Sequence, residues 1–357
     1  MIKKIRVFVV DDSIFFRQML INDLKERSNL EVVGFAASAL EARTKIHTIQ
    51  PDVITMDVEM PGLSGIDFLK ELLPKYPIPV ILVSSLNLSV FDALAAGAVD
   101  FVQKPNMSKD YNVKSFFNVL NSKIYIASRA KVNVKHQAGR PQSGPSAPAA
   151  GMSTAAFSSN LSQIVQNTML IAIGASTGGT EATLEVLQRL PADMPGIVVT
   201  QHMPEGFTKM YAERLNRICK LEVKEAENGD RVRRGLVLIA PGGPLQMRVE
   251  KDLKGFYVSC QPGEKVNGHR PSVDVLFSSV AKKAGKSAVG IIMTGMGRDG
   301  ASGLLEMRQA GAFTIGQDKE SCVVYGMPMV AYDIGGVCVQ ASCTNISNVL
   351  LNQLRKM

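Results

Sequence analysis

Along the first third of the chain the hydrophobic positions fall into short runs of strand length, each followed by apolar residues at helical spacing. The runs are Val7 to Val10, Val32 to Phe35, Val53 to Met56, Val80 to Val83 and Phe101 to Gln103. Such alternation predicts a parallel sheet covered on both faces by crossover helices. The pattern then lapses: Pro141 to Gly151 has little to bury and reads as a tether. Leu161, Ile164 and Val165 predict at most a short amphipathic piece. Alternation resumes at Met169, where an apolar run, a tight turn and a helix from Thr180 to Leu190 are expected. It continues through the runs Ile197 to Thr200, Leu236 to Ala240, Ala288 to Met293 and Phe313 to Gly316. Between Leu245 and Cys260 two alternating runs flank Lys251 to Gly255 and predict an antiparallel hairpin. The expected chain is therefore α/β in three parts. Residues 1–124 form a five-stranded parallel sheet, 125–165 a flexible linker, and 166–357 a doubly wound, mostly parallel α/β domain with the hairpin attached. A length of 357 residues suits two domains, each with its own core.

Polar residues stand just past the first set of runs: Asp11 and Asp12, Asp57, Ser84 and Ser85, and Lys104. In an open parallel sheet these positions line the carboxyl edge, where ligands bind. Two unit charges about 4 Å apart interact by roughly 4 kcal/mol at moderate effective dielectric, so converging carboxylates call for a cation. Hard oxygen ligands of this kind suit Mg2+. Any one aspartate could merely cap a helix, but three carboxylates, a hydroxyl and a lysine at strand ends point to a site.

With 46% hydrophobic and 20% charged residues the composition is that of an ordinary globular protein. The net charge of +8 raises nucleic acid as a partner, yet its distribution argues otherwise. From Tyr111 to Thr180 there is no acidic residue, and Lys114, Lys123, Arg129, Lys131, Lys135 and Arg140 lie there; without these six the rest carries about +2. The basicity belongs to a segment and not to a folded face. Five cysteines, Cys219, Cys260, Cys322, Cys338 and Cys343, are odd in number and form no C-x-x-C pair, which favours reduced thiols. Lysines precede an apolar run at the N-terminus, but Asp11 and Asp12 arrive too soon for a signal peptide. No run is long enough to span a bilayer, so no membrane insertion and a cytoplasmic location are expected.

Gly174-Ala175-Ser176-Thr177-Gly178 has the spacing of a nucleophile elbow, in which small neighbours let a serine hydroxyl protrude at a strand-to-helix turn. A phosphate cradle is the rival reading of the same glycines. It lacks G-x-G-x-x-G spacing, and the next strand ends in Gln201-His202 instead of an acid for a ribose. A serine nucleophile needs a base. His202 follows a strand and would share the edge with Ser176, whereas His269 follows none and reads as a loop residue. The carboxylate that would orient the base is Asp299, with Asp274 and Asp318 as competitors. The glycine-rich turn Thr294 to Gly300 could also aim a backbone N–H, such as that of Met296, at a developing oxyanion.

Residues 1–124, through Asp57-Val58-Glu59-Met60-Pro61-Gly62-Leu63-Ser64-Gly65 and Lys104-Pro105, resemble the flavodoxin-like receiver domain of two-component signalling. That resemblance implies phosphorylation of Asp57 by a histidine kinase. It further implies Mg2+ held by Asp11, Asp12, Asp57 and the backbone carbonyl of Glu59, with Ser84, Phe101 and Lys104 forming the phosphorylation switch. Both domains in this order, the linker apart, resemble the CheB family of chemotaxis methylesterases. The pieces that carry this likeness are Ile173 to Gly179, Gln201 to Pro204, Ala240 to Gly243, His269 to Asp274 and Thr294 to Gly300. By it, Ser176, His202 and Asp299 form a catalytic triad, the Met296 N–H serves the oxyanion, and the esterase needs no cofactor. The implied substrate is a methylated glutamate on a chemoreceptor, a methyl-accepting chemotaxis protein, with glutamine deamidation as a second activity and phosphorylation as the activating signal. A DNA-binding output is disfavoured, because such modules are usually small and helical.

Overall fold

The computed structural model describes residues 3–85, 89–105, 113–132 and 169–357. They belong to two compact units, Met1–His136 and Gln137–Met357. Most of the expected linker, including Leu161, Ile164 and Val165, lies outside the described residues.

The first unit runs β1 (Ile5–Val10), α1 (Ile14–Glu26), β2 (Leu30–Ala36), α2 (Ala39–Ile49), β3 (Val53–Met56), α3 (Gly65–Leu72), β4 (Val80–Ser84), α4 (Ser89–Ala95), β5 (Asp100–Gln103) and α5 (Val113–Ala127). Its five strands are parallel in the order β2-β1-β3-β4-β5, the flavodoxin-like doubly wound arrangement. The buried runs Val7 to Val10, Val53 to Met56 and Val80 to Val83 are its central strands, closed on both faces by helices. Three helices start on serines: the hydroxyls of Ser13, Ser38 and Ser64 accept the N–H groups of Phe16, Glu41 and Asp67. Each such cap is worth about 1 kcal/mol. α5 continues three residues beyond the boundary expected at 124, because Leu120, Ile124 and Ala127 extend one fully buried stripe.

The second unit begins with β6 (Leu170–Ala175), α6 (Gly179–Leu187), β7 (Gly196–Gln201), α7 (Phe207–Ile218), β8 (Glu222–Glu225) and β9 (Leu236–Ile239). The hairpin β10 (Leu245–Asp252) and β11 (Gly255–Pro262) follows, then α8 (Val273–Lys283), β12 (Ala288–Ile292), α9 (Ala301–Gln309), β13 (Phe313–Gln317), α10 (Met327–Asp333), β14 (Val339–Ala341) and α11 (Ile346–Leu354). Seven parallel strands lie in the order β14-β13-β12-β6-β7-β9-β8, and β10 pairs β11 antiparallel. The two strands without a sequence signal, β8 and β14, are the edges. Edge strands are short and polar by nature, and only Val223 of β8 and Ala341 of β14 are buried. The inward face of the hairpin, with Met247, Val249, Phe256 and Val258, joins one core with Val273, Leu276, Phe277 and Val280 of α8.

β6 sits where the winding reverses: the chain passes to β7 on one side and returns to β12 on the other. That switch point is where an open α/β sheet has a crevice at its carboxyl edge. A side chain at Gly174 is excluded there, since a Cβ would stand 2.1 Å from Val273 Cγ1. The missing side chain lets the start of α8 approach the end of β6.

Candidate functional site

In the first unit the ends of β1, β3, β4 and β5 meet. Oxygen atoms of Asp11, Asp12 and Asp57 lie within 4.8 Å of one another. Asp11 and Asp57 are buried, whereas Asp12 is exposed. Lys104 lies between the buried pair, its Nζ 2.6 Å from Asp57 Oδ2 and 2.9 Å from Asp11 Oδ2. The contact to Asp11 is an ion pair without a directed hydrogen bond. Burial pushes the Asp11 carboxyl up, with Asp57 adding repulsion, and Lys104 only partly offsets this. Burial would likewise lower Lys104, but its bond to Asp57 and the negative charge of Asp11 outweigh that and hold its ammonium above the ordinary value.

Register explains the rest of the pocket. Ser84 is opposite Gln103, so Lys104 N donates to Ser84 O at 2.8 Å. The Ser84 side chain is buried, and its hydroxyl has no hydrogen-bond partner among the described residues, while Ser85 is exposed. Phe101 is buried, with Lys123 Nζ 5.5 Å from its ring centroid. The Glu59 N–H donates to Asp57 Oδ1 at 3.0 Å, shaping the loop after β3. Three crowded oxygens of which two are buried, balanced by one lysine, fit a small divalent cation with oxygen preference.

In the second unit Ser176, His202 and Asp299 follow β6, β7 and β12. Ala175 pairs with Gln201 in register, so Ser176 and His202 are the next residues on adjacent strands, and His202 N donates to Ala175 O at 3.1 Å. The elbow is held from behind. Ser176 N donates to Thr294 O at 3.0 Å, and Ser176 O accepts from Gln201 Nε2 at 2.8 Å and from Gly179 N at 2.7 Å. Gly178 supplies the left-handed residue of the turn, with φ of 76°.

His202 Nε2 lies 2.7 Å from Asp299 Oδ2. A carboxylate only accepts, so Nε2 carries the proton and Nδ1 is the basic nitrogen. Nδ1 is buried and has no hydrogen-bond partner among the described residues. The ring is thus used in the opposite sense to the serine-protease template, where Nδ1 faces the carboxylate. Hydrogen bonds from nucleophile to base commonly form or tighten only when substrate binds.

Asp299 is 1% exposed and carries more donors than sequence alone suggests. Oδ2 also accepts Val273 N at 2.7 Å; Oδ1 accepts Ser272 Oγ at 2.7 Å, Asn267 Nδ2 at 3.0 Å and Asp274 N at 3.3 Å. Ser272, Val273 and Asp274 are the first residues of α8 and its cap, so the carboxylate also sits at the positive end of a helix. Burial pushes Asp299 up, but the bonds from His202, Asn267 and Ser272 prevail and hold it well below the carboxylate range. Asp274, one competitor, lies behind it, accepts Gly303 N at 2.7 Å and is pushed up by burial. Asp318, the other, binds Ser321 in the β13 loop.

Gly295 packs on the nucleophile, since a Cβ there would come within 2.7 Å of Ser176 Cβ. The neighbouring Met296 N–H meets no acceptor among the described residues. His269, expected to be a mere loop residue, stacks on His202 with ring centroids 3.7 Å apart and planes 7° apart. No local pattern assigns Asn267, Ser272, Gln201 or Thr294 a role of its own; of these only Asn267 carries a signal, the turn-forming dipeptide Asn267-Gly268.

A receiver-type sheet with a carboxylate pocket, followed by an α/β domain with a histidine–carboxylate pair beside a strand-end serine, defines a response regulator with an enzymatic output domain. A family model described as CheB methylesterase matches residues 171–350, and one described as response regulator receiver domain matches 7–112. The chain belongs to the CheB methylesterase family. It is 51% identical over 356 residues to the protein-glutamate methylesterase/protein-glutamine glutaminase 2 of Syntrophomonas wolfei, covering 99% of both chains. It is 44% identical over 355 residues to the protein-glutamate methylesterase/protein-glutamine glutaminase of Escherichia coli K12, covering 98% of this chain and 97% of that one. The crystal structure of the Thermotoga maritima CheB methylesterase catalytic domain superposes with a TM-score of 0.51 at 35% identity, covering 52% of this chain and 99% of that one.

Proposed function

We propose that this chain is a phosphorylation-activated serine esterase that hydrolyses glutamate methyl esters on the cytoplasmic helices of chemoreceptors, releasing methanol, and that deamidates receptor glutamines. The observation that carries the reading is the His202–Asp299 bond of 2.7 Å with Ser176 next in register. His202 Nδ1 takes the proton of Ser176 Oγ as that oxygen attacks the ester carbonyl, and Asp299 stabilises the imidazolium. The Met296 N–H donates to the oxyanion, an interaction worth roughly 3 to 4 kcal/mol in serine hydrolases. The proton on Nδ1 passes to the methoxide leaving group, and methanol departs. Water, deprotonated by the same nitrogen, then cleaves the acyl-enzyme to glutamate. With an amide in place of the ester, ammonia leaves instead.

Control comes from the receiver, residues 1–124, joined through 125–165 to the esterase, 166–357. Asp57 accepts a phosphoryl group from a histidine kinase. Asp11, Asp12, Asp57 and the Glu59 carbonyl would hold Mg2+, which when bound supplies charge neutralisation for that transfer. Lys104 contacts the phosphoryl group, the Ser84 hydroxyl turns to it, and Phe101 follows as the buried aromatic of the switch. A phosphoryl group adds roughly one and a half to two negative charges, enough to bias a two-state element. The receptor substrate and the kinase place this reaction in the cytoplasm; none of the described helices is long and apolar enough to cross a membrane.

Methanol release from methylated receptor tests the assignment. Ser176→Ala is expected to lower kcat by about 10^6-fold, as in other serine hydrolases. Activity retained in that variant would exclude Ser176 as nucleophile.

A further inference from the structure

Between β11 and α8 the chain makes a two-residue turn that reaches both members of the His202–Asp299 pair. Val266 and His269 exchange two backbone hydrogen bonds, of 3.0 Å and 2.9 Å. The residues between them, Asn267 and Gly268, have φ of 51° and 83°. Two left-handed residues closing a two-residue loop form the type I′ turn, for which Asn-Gly is the favoured pair. The turn is exposed, yet its base is fastened. Arg270 donates through Nε to Gly243 O and through Nη1 to Gly263 O, both at 2.8 Å, and Ser272 N donates to Gln246 Oε1 at 2.8 Å.

Two side chains of this turn point at the pair. Asn267 Nδ2 lies 2.6 Å from Asp274 Oδ2 and 3.0 Å from Asp299 Oδ1. An amide nitrogen has two hydrogens, so one group donates to both carboxylates. It thereby separates two buried acids that would otherwise face each other, and it ties down the oxygen of Asp299 that does not meet His202. The His269 ring lies flat on the His202 ring. Flat stacking leaves the imidazole free to slide in its plane but resists tilting, and tilting is what would break its edge-on bond to Asp299.

We propose that Asn267-Gly268-His269 is a positioning element for ester hydrolysis: Asn267 fixes the orientation of Asp299, and His269 fixes the ring plane of His202. The proposal rests on the reading that this pair serves Ser176. Both side chains act through the pair, so their loss falls on kcat and not on substrate binding.

Three variants of the full chain test this, with melting temperature as a check on folding and Ser176→Ala in parallel. Asn267→Gly removes the amide and keeps a residue that adopts positive φ. His269→Ala removes the ring, and His269→Phe restores a flat ring without its nitrogens. In methanol release from methylated receptor, Asn267→Gly and His269→Ala are expected to lower kcat by roughly 10- to 100-fold, the scale of a misplacement near 1 Å. KM should stay within about twofold, and His269→Phe should recover most of the loss. A kcat near wild type for Asn267→Gly and His269→Ala, with Ser176→Ala inactive, overturns the positioning role alone. So does a His269→Phe enzyme as slow as His269→Ala. If His269→Ala does not fold, Asn267→Gly decides, and wild-type kcat overturns the proposal. Activity in Ser176→Ala overturns the hydrolase reading and the positioning role with it.

Discussion

The receiver pocket and the esterase site occupy the same place in two similar folds, the carboxyl edge of a parallel sheet, yet they treat a buried carboxylate in opposite ways. Asp11 is pushed up by burial and meets Lys104 only as an ion pair. Asp299 is held down by five donors, three of them from the start of α8 and its cap. The first pocket sets two buried carboxylates against one lysine, and among the described residues its buried Ser84 hydroxyl has no hydrogen-bond partner. The second is saturated around its carboxylate. A site that must change charge gains from groups left ready for a new partner, whereas catalysis gains from dipoles already in place before charge develops. The contrast suits a switch and an enzyme on one chain.

The largest effect expected of breaking this contrast is at Asp299. Asp299→Asn offers an amide that can hold the wrong imidazole tautomer, and kcat should fall by roughly 10^4-fold. The same variant reports on pH. Because the folded carboxyl lies below its ordinary value of 3.8, ionisation stabilises the fold above that pH, and the contribution is lost as pH falls through the lower folded value. Thermal melts should therefore show the stability gap between wild type and Asp299→Asn shrinking as pH drops below 3.8. A gap that widens toward acid would contradict the depressed carboxyl.

An intermediate effect is expected in the receiver. Lys104→Met leaves Asp11 and Asp57 buried without their counter-charge, and breaking such a pair costs about 3 kcal/mol. Added Mg2+ should restore part of the melting temperature of the variant, since a ligand of the folded state stabilises it by mass action. Melting that is unchanged in the variant and indifferent to Mg2+ would remove Lys104 from the balance of the pocket.

What the sequence made legible follows from where each signal is stored. The buried central strands announce themselves as apolar runs, and the residues that end them, Asp11, Asp57, Ser176 and His202, inherit their position from that local pattern. The edge strands β8 and β14 carry no such run, because one side of each has no partner strand and their residues are mostly partly exposed. The environment of Asp299 was also out of reach: its donors come from the cap of α8 and the Asn267 turn, and nothing in a local window says that this loop docks there. His269 follows no strand, so no local pattern marks it, yet it reaches the site by stacking and not by strand register.

The smallest effect concerns thiols. Cys219, Cys260 and Cys338 carry free thiols. Burial pushes the Cys260 thiol up to about 12 and the Cys219 thiol up to about 11, so neither should react with a thiolate-selective reagent at neutral pH, whereas Cys338 is exposed. Mass spectrometry after brief alkylation should find label on Cys338 before Cys260; the reverse order would argue that the β10–β11 core opens readily.

The most direct measurement is methanol release from methylated chemoreceptor by the full chain, before and after phosphoryl loading in the presence of Mg2+, with Asp57→Asn alongside. A phosphorylation-activated esterase should release methanol faster once phosphorylated, and Asp57→Asn should stay at the unphosphorylated rate. A rate that does not change on phosphorylation, or that rises equally in Asp57→Asn, would contradict it.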